Sequence, residues 1–219
     1  MKEWNCRSQV LGLTNVRQDF NYLSDIRSLA YELHAGQTRA DKYTPYITHP
    51  ELVAKLVSDY TIDDKLIAIA WLHDIIEESS DRIKQAFKGL ITLSTDADYV
   101  QANWNDAMYL LTKDYQVAAG VLRLTDSFDY IQDYIKTKGK VEYLSLLLSS
   151  LPAGYCLVKL CDMLANMTES NGTRMSQETR YFKAVCNFEK SANNMDGNCK
   201  AVINRIKDIY ARHSSKVNN

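Results

Sequence analysis

The chain has 219 residues, with 26 Lys and Arg against 27 Asp and Glu, so its formal net charge is −1. This balance gives no electrostatic footprint for a DNA duplex or an anionic membrane. Hydrophobic residues make up 46%, and only 3 Pro and 8 Gly interrupt the chain, which predicts a sizeable core built from long helices. The five Cys lack finger-like or CxxC spacing, no long apolar segment occurs, and the N-terminus is polar, so we expect a cytoplasmic protein without disulfides.

Helical periodicity dominates the first half of the chain. Apolar residues recur every three to four positions from Thr14, and Gly36 is a typical helix stop. Pro50 is well placed in the first turn of a new helix, and the strongest pattern follows it. The predicted elements are an arm over 1–13, helices over 14–35, 50–60, 63–78 and 79–87, and a loop over 89–98.

The second half continues the same pattern, and strand-like alternation is scarce throughout. We therefore predict an all-α fold of about ten helices in a single domain over residues 14–213, followed by a frayed tail over 214–219. The predicted helices of this half cover 104–111, 117–137, 141–149, 152–168, 175–192 and 198–213.

The adjacent pair His73 and Asp74 lies on a predicted helix face that is otherwise filled with Leu, Ile and Ala. An ionised carboxylate near a core costs several kcal/mol unless it is paired or binds a metal. An imidazole with carboxylates suits Mn, Fe or Zn better than Ca or Mg. One helix cannot complete such a site, and His49 before the Pro50 helix and Asp162 in a mostly apolar helix are the candidate further ligands.

Two acidic residues lie one helical turn beyond this pair. Glu77 follows His73 and Glu78 follows Asp74 at a spacing that brings each beside a metal held there. A carboxylate in that position can activate water or protonate a leaving oxygen. A solvated acidic helix end explains the same pair, and a lone buried His or Asp is often a core or capping residue. The joint occurrence on three segments favours a site.

Five stretches together resemble the hydrolase domain of RelA/SpoT homologues, an all-helical HD fold that degrades the alarmones ppGpp and pppGpp. The resemblance covers about residues 20 to 190. It implies a small alarmone hydrolase, similar to the metazoan SpoT-like enzymes, without the family's synthetase or regulatory domains. The matching stretches, in order, are HAGQTR, YITHPELVAKL, WLHDIIEE, LLTKDY and LVKLCDMLANM.

The resemblance implies roles for residues of this chain. Mn²⁺ is expected as cofactor, and removal of the 3′-pyrophosphate from the nucleotide is the expected reaction. Arg39 matches an arginine that packs on the base, Asn166 an amide near ribose or phosphate, and Tyr181 a tyrosine of the nucleotide pocket. The metal ligands implied are His49, His73, Asp74 and Asp162, and the proton-handling pair is Glu77 and Glu78.

Several positions depart from the family pattern and leave the substrate open. The family has Glu-Asp where this chain has Glu77-Glu78, and its base-contacting lysine has no clean match, although Lys42 is a candidate substitute. A longer gap before Asp162 suggests an insertion over 120–139. The alternatives are an HD phosphohydrolase for another nucleotide, such as an adenosine alarmone, and a non-catalytic nucleotide-binding module. Family polar or basic positions are occupied here by Met163, Ala165 and Gln177.

Overall fold

A computed structural model describes residues 22–88, 100–192 and 195–217. These residues form α-helices and no β-strand, with one isolated bridge between Thr38 and Pro45, which confirms the all-α prediction. The helices are α1 (Tyr22–Leu33), α2 (Thr48–Ser58), α3 (Asp64–Leu72), α4 (Ile75–Ala86), α5 (Val100–Thr112), α6 (Tyr115–Leu124), α7 (Asp129–Lys138), α8 (Lys140–Ser150), α9 (Ala153–Ser170), α10 (Met175–Ser191) and α11 (Gly197–Val217).

The helix predicted over 63–78 is two helices, and the prediction of a continuous helix there is wrong. His73 ends α3, and Asp74, with φ −99° and ψ −1°, precedes α4. Neither Gly nor Pro marks the break, and both helices bury apolar side chains in one core, so the periodicity runs through it. α4 then continues to Ala86 across a kink at Ser79, which absorbs the separate helix predicted over 79–87.

The helix predicted over 117–137 is also two helices, α6 and α7. Thr125 leaves α6 in an extended conformation, and Phe128, only 2% exposed, turns into the core just before α7. Burial of an aromatic ring outweighs the small helix propensity of the connecting residues. The sequence contains no helix breaker at this point, so its periodicity alone did not indicate the turn.

The last helix, α11, extends to Val217, four residues beyond the predicted end at His213. The buried His213 ring places Nδ1 2.8 Å from Oε2 of Glu178 in α10, which ties this turn to the bundle. The arm predicted over 1–13, residues 14–21 of the first predicted helix and the loop predicted over 89–98 lie outside the described residues.

The helices α3 and α9 form the centre of the bundle. α3 packs against α1, α2, α6 and α9, and residues 156–165 of α9 are all buried. A Cβ on Gly120 would lie 2.3 Å from Cδ1 of the buried Ile69, so any side chain at this position of α6 would force Ile69 of α3 to move. Within the described ranges, no helix is long and apolar enough to cross a membrane. This packing brings the end of α3, the start of α2 and the middle of α9 together.

Candidate metal centre and cleft

The break between α3 and α4 turns His73 and Asp74 toward the same point. If the helix continued through them, adjacent side chains would point about 100° apart. Instead the backbone of Asp74 adopts the bridge conformation, and its Oδ1 lies 3.0 Å from Nε2 of His73. The convergence of this pair therefore depends on the interruption that the sequence periodicity did not predict.

The structure brings all four predicted metal ligands together. Nε2 of His49 lies 3.2 Å from Oδ1 of Asp162 and 3.6 Å from Oδ2 of Asp74. Nε2 of His73 lies 3.7 Å from Oδ1 of Asp162. One ligand atom each of His49, His73 and Asp74 falls within 4.8 Å of the others. Three separate segments thus present two imidazoles and two carboxylates to one buried point.

The chemistry of this donor set fits a divalent ion. Nδ1 of His73 is 2.8 Å from the carbonyl oxygen of Ala70 and must donate to it, so Nε2 is the nitrogen that gives up its proton when a metal binds. That Nε2 is buried, and its contacts with the oxygens of Asp74 and Asp162 do not have hydrogen-bond geometry. Neighbouring ligands about 2.1 Å from one ion lie roughly 3.0–3.4 Å apart, close to the separations between these atoms. The described residues therefore include a group that can hold a metal.

Further side chains hold the carboxylates of Asp74 and Asp162 in place. The hydroxyl of Tyr46 donates to Oδ2 of Asp74 at 2.7 Å. Oδ2 of Asp162 accepts from Nζ of Lys159 at 2.9 Å, and its Oδ1 accepts from the amide of Asn166 at 2.7 Å. Such outer partners orient ligands and set their basicity. Asp162 therefore directs Oδ1 at both histidines, whereas Asp74 directs Oδ1 at His73 and Oδ2 at His49.

The charges at this point stabilise one another in the absence of a metal. Burial lowers the pKa of His73, but the carboxylates of Asp74 and Asp162 outweigh burial and raise it well above the usual value. Burial raises the pKa of Asp162, whereas Lys159 and then His49 lower it well below its usual range. The pKa of Asp74 is lowered as well. Both aspartates therefore stay ionised, as metal ligands must.

The two predicted proton-handling residues occupy different environments. Glu77 lines the cleft beside the ligands, and its Oε1 accepts from the backbone N–H of Asp126 at 2.7 Å. Burial, followed by the charges of Asp126 and Asp74, raises the pKa of Glu77 to about 8. Glu78 is exposed, does not line the cleft, and has a pKa that burial and then Asp74 raise. Of the pair, Glu77 is the one placed for proton exchange at the cleft.

A polar cleft of about 160 Å³ opens from the candidate metal centre. Three predicted substrate-binding residues, Arg39, Asn166 and Tyr181, line it. Burial raises the pKa of Tyr181 to about 12, so its hydroxyl is protonated at neutral pH. Lys42 does not line the cleft: it is exposed in a turn with φ 66°, and its backbone N–H donates to the carbonyl of Arg39.

Sequence analysis missed several residues of this site. Lys159 and Glu169 lie three before and seven after Asp162, so helical spacing on α9 was a signal for both. Tyr46 lies in an irregular segment, where spacing gives no signal. Asp126 and Lys140, which line the cleft and form an ion pair, flank α7. The predicted 120–139 insertion therefore reaches the cleft through Asp126.

Comparison with known proteins gives partial matches. No protein-family profile matches the chain. A chloroplastic protein of Oryza sativa subsp. japonica, named as a GTP diphosphokinase, is 35% identical over 74 residues, which is 32% of this chain and 8% of that protein. A guanosine-3′,5′-bis(diphosphate) 3′-pyrophosphohydrolase of Synechocystis is 45% identical over 56 residues, 26% of this chain and 7% of the relative.

A third relative is the bifunctional (p)ppGpp synthase/hydrolase of Escherichia coli K12, which is 41% identical over 51 residues, 23% of this chain. The matched stretch spans only 7% of that relative, so less than a tenth of each of these proteins is compared. The matches show that part of this chain is related to the RelA/SpoT-homologue hydrolases.

Proposed function

We propose that this protein is a metal-dependent pyrophosphohydrolase that removes the 3′-pyrophosphate of guanosine alarmones. It would convert ppGpp or pppGpp and water to GDP or GTP and pyrophosphate. The observation that carries the proposal is the convergence of two imidazoles and two carboxylates beside a polar cleft. The printed activity of the Synechocystis relative supports the choice of substrate.

Mn²⁺ is the proposed cofactor, held by His49, His73, Asp74 and Asp162. Mixed imidazole and carboxylate ligands suit a borderline transition metal better than Ca²⁺ or Mg²⁺. When bound, such an ion polarises phosphoryl oxygens and makes water more acidic. Tyr46 and Lys159 keep the two aspartates oriented, so that the ligand oxygens need little rearrangement.

Glu77 is the proposed proton-handling residue. Hydrolysis of the ribose 3′ ester takes one proton from the attacking water and returns one to the 3′ oxygen that leaves. A carboxyl group whose pKa is about 8 exchanges protons readily near neutral pH. The N–H of Asp126 holds one oxygen of Glu77 and leaves the other for this exchange. Glu78 remains a predicted second member of the pair.

The dimensions of the cleft favour binding of the pyrophosphate end inside and the base outside. Its volume of about 160 Å³ is below the roughly 300 Å³ of the smallest usual ligand pockets. Lys159 and Lys140 line the cleft, each paired with an aspartate, and are the proposed phosphate contacts. Arg39 and Tyr181 are the proposed contacts of the nucleoside, and Asn166 of the ribose or phosphate.

One observation favours an adenosine alarmone as the second candidate substrate. The family arginine near Tyr181 is Gln177 here, and its amide donates to the Tyr181 hydroxyl at 2.7 Å. Gln177 does not line the cleft itself, but it places a neutral partner, where the family pattern has a charge, on the hydroxyl of Tyr181, which does. If Tyr181 contacts the base, base selection should differ from the guanosine pattern, and the assay described next tests this.

The experiment is a pyrophosphate-release assay with Mn²⁺ and either ppGpp or the matching adenosine 3′,5′-bis(diphosphate). The wild type is expected to release pyrophosphate from ppGpp faster, and Asp74→Ala and chelation of the metal should each abolish release. Faster release of pyrophosphate from the adenosine compound would make that compound, and not ppGpp, the proposed substrate. Binding of both nucleotides with no turnover of either would favour a non-catalytic module.

A further inference from the structure

Glu169, in the last turn of α9, contacts both a predicted metal ligand and a predicted substrate residue. We propose that Glu169 is a positioning residue that fixes His49 for metal binding and holds Arg39 across the mouth of the cleft. The part that concerns Arg39 rests on the proposed function, whereas the part that concerns His49 rests on the candidate metal centre alone.

A single carboxylate oxygen makes both contacts. Oε2 of Glu169 lies 2.9 Å from Nδ1 of His49 and 2.6 Å from Nη2 of Arg39. The His49 side chain is 2% exposed, Arg39 14% and Glu169 24%. Charge-assisted hydrogen bonds at these distances and this degree of burial are among the stronger polar interactions of proteins. The contact is therefore built into the site and is not a loose surface ion pair.

The contact to His49 decides which ring nitrogen faces the metal centre. Because a carboxylate only accepts, Nδ1 of His49 carries the proton, and in the neutral ring Nε2 keeps its lone pair. Nε2 is the atom that faces Asp162 and Asp74. A backbone carbonyl gives His73 the same orientation, but for His49 the acceptor is the Glu169 side chain. Loss of Glu169 therefore affects one of the two imidazole ligands and spares the other.

The contact to Arg39 determines how this arginine meets a ligand. Its guanidinium carbon lies 5.3 Å from the centre of the Tyr46 ring, and Nη2 also lies 3.5 Å from Oδ1 of Asn166. With its charge offset by Glu169, Arg39 offers a flat surface more than a free positive charge. A planar guanidinium held in this way suits stacking on a base.

The first test measures the affinity of the nucleotide-free protein for Mn²⁺ by calorimetry. Glu169→Ala should bind Mn²⁺ about 10- to 100-fold more weakly, the usual loss when an outer partner of a ligand is removed. Glu169→Gln keeps an acceptor for His49 and should bind Mn²⁺ within a few-fold of the wild type. Arg39→Ala should also keep the Mn²⁺ affinity, but should raise KM for ppGpp more than it lowers kcat.

The second test reads the His49 ring directly. In protein loaded with Zn²⁺, which is diamagnetic, ¹H–¹⁵N spectra should show a protected Nδ1–H for both His49 and His73. Glu169→Ala should remove the His49 signal and leave that of His73. If Glu169→Ala does not fold, Glu169→Gln is the test variant. The amide keeps an acceptor for His49 but no longer offsets the charge of Arg39. It should therefore raise KM for ppGpp without weakening Mn²⁺ binding.

Two results would overturn the proposal: Mn²⁺ affinity and a His49 Nδ1–H signal unchanged in Glu169→Ala, or an equal loss of affinity in Arg39→Ala. Weak Mn²⁺ binding by Glu169→Gln, with the fold intact by circular dichroism, would also contradict it. Failure of the proposed function looks different, since wild-type protein would then bind Mn²⁺ and respond to Glu169→Ala as expected while leaving ppGpp intact.

Discussion

Replacement of Tyr46 by Phe isolates one hydroxyl group at the candidate metal centre. This hydroxyl donates to Oδ2 of Asp74 at 2.7 Å. Burial, with Asp74 nearby, raises the pKa of Tyr46 well above its usual value, so the hydroxyl is a donor at every practical pH. Phe keeps the ring that stacks on His34 at 4.9 Å and lies beneath Arg39. The variant therefore removes a hydrogen bond and preserves the packing.

The size of the effect follows from that hydrogen bond. A hydrogen bond to a charged group contributes about 1.5–3 kcal/mol, and each 1.4 kcal/mol is about tenfold in a binding constant. Because Asp74 is only 14% exposed, water replaces the hydroxyl poorly. We expect Tyr46→Phe to bind Mn²⁺ about 10- to 100-fold more weakly, in agreement with the usual effect of such partners.

Calorimetric titration with Mn²⁺ measures this affinity, and Tyr43→Phe is the matched control. Tyr43 lies in the same segment but is 89% exposed, so its hydroxyl should not influence the metal. Equal Mn²⁺ affinities for wild type, Tyr46→Phe and Tyr43→Phe would refute the assignment of Tyr46 as a partner of the ligand Asp74. A loss in both variants would instead indicate damage to the segment.

Three further results are expected. Glu77→Gln should lower kcat for ppGpp about 100-fold or more, as loss of a general acid–base group does, while Glu78→Gln should lower it less; the reverse order in steady-state assays would exchange their roles. Free Mn²⁺ at 100 times its Kd should stabilise the wild type by about 2.7 kcal/mol, which corresponds to a rise in Tm of roughly 5–10 °C. Scanning calorimetry of Asp162→Asn should show no such rise. Folding raises the pKa of Glu77 from 4.5 to about 8, so the contribution of Glu77 to stability is complete below pH 4.5 and is lost as the pH rises through 8. The Tm of the metal-free wild type should therefore fall over this pH range more steeply than the Tm of Glu77→Gln. Parallel curves for the two proteins would contradict the raised pKa.

Helical periodicity and ligand chemistry were enough to predict the all-α fold and to select four residues that the structure brings together. They succeeded because His49, Asp74 and Asp162 are polar groups on or beside strongly apolar segments, where burial requires a partner. The same spacing on α9 would have indicated Lys159 and Glu169, since both share a face with Asp162.

The break at His73 and Asp74 was not predictable in this way. A hydrophobic pattern records which side chains face the core, and it continues unchanged when two helices meet at a kink and share that core. Tyr46 and Asp126 reach the site through irregular segments, whose course depends on tertiary packing and not on local spacing. For the same reason, the match of Lys42 to the family lysine could not show that its side chain does not line the cleft.

The most direct test of the proposed function is the identity of the product. ³¹P NMR resolves pyrophosphate from orthophosphate. One reaction contains ppGpp, the protein and a diamagnetic divalent ion such as Zn²⁺ or Mg²⁺. The other contains Mn²⁺ and is quenched with chelator before the spectrum is recorded. We expect one equivalent each of pyrophosphate and GDP with Mn²⁺, and neither with Asp162→Asn. Release of orthophosphate, or unchanged ppGpp in the presence of protein that binds Mn²⁺, would contradict the proposal.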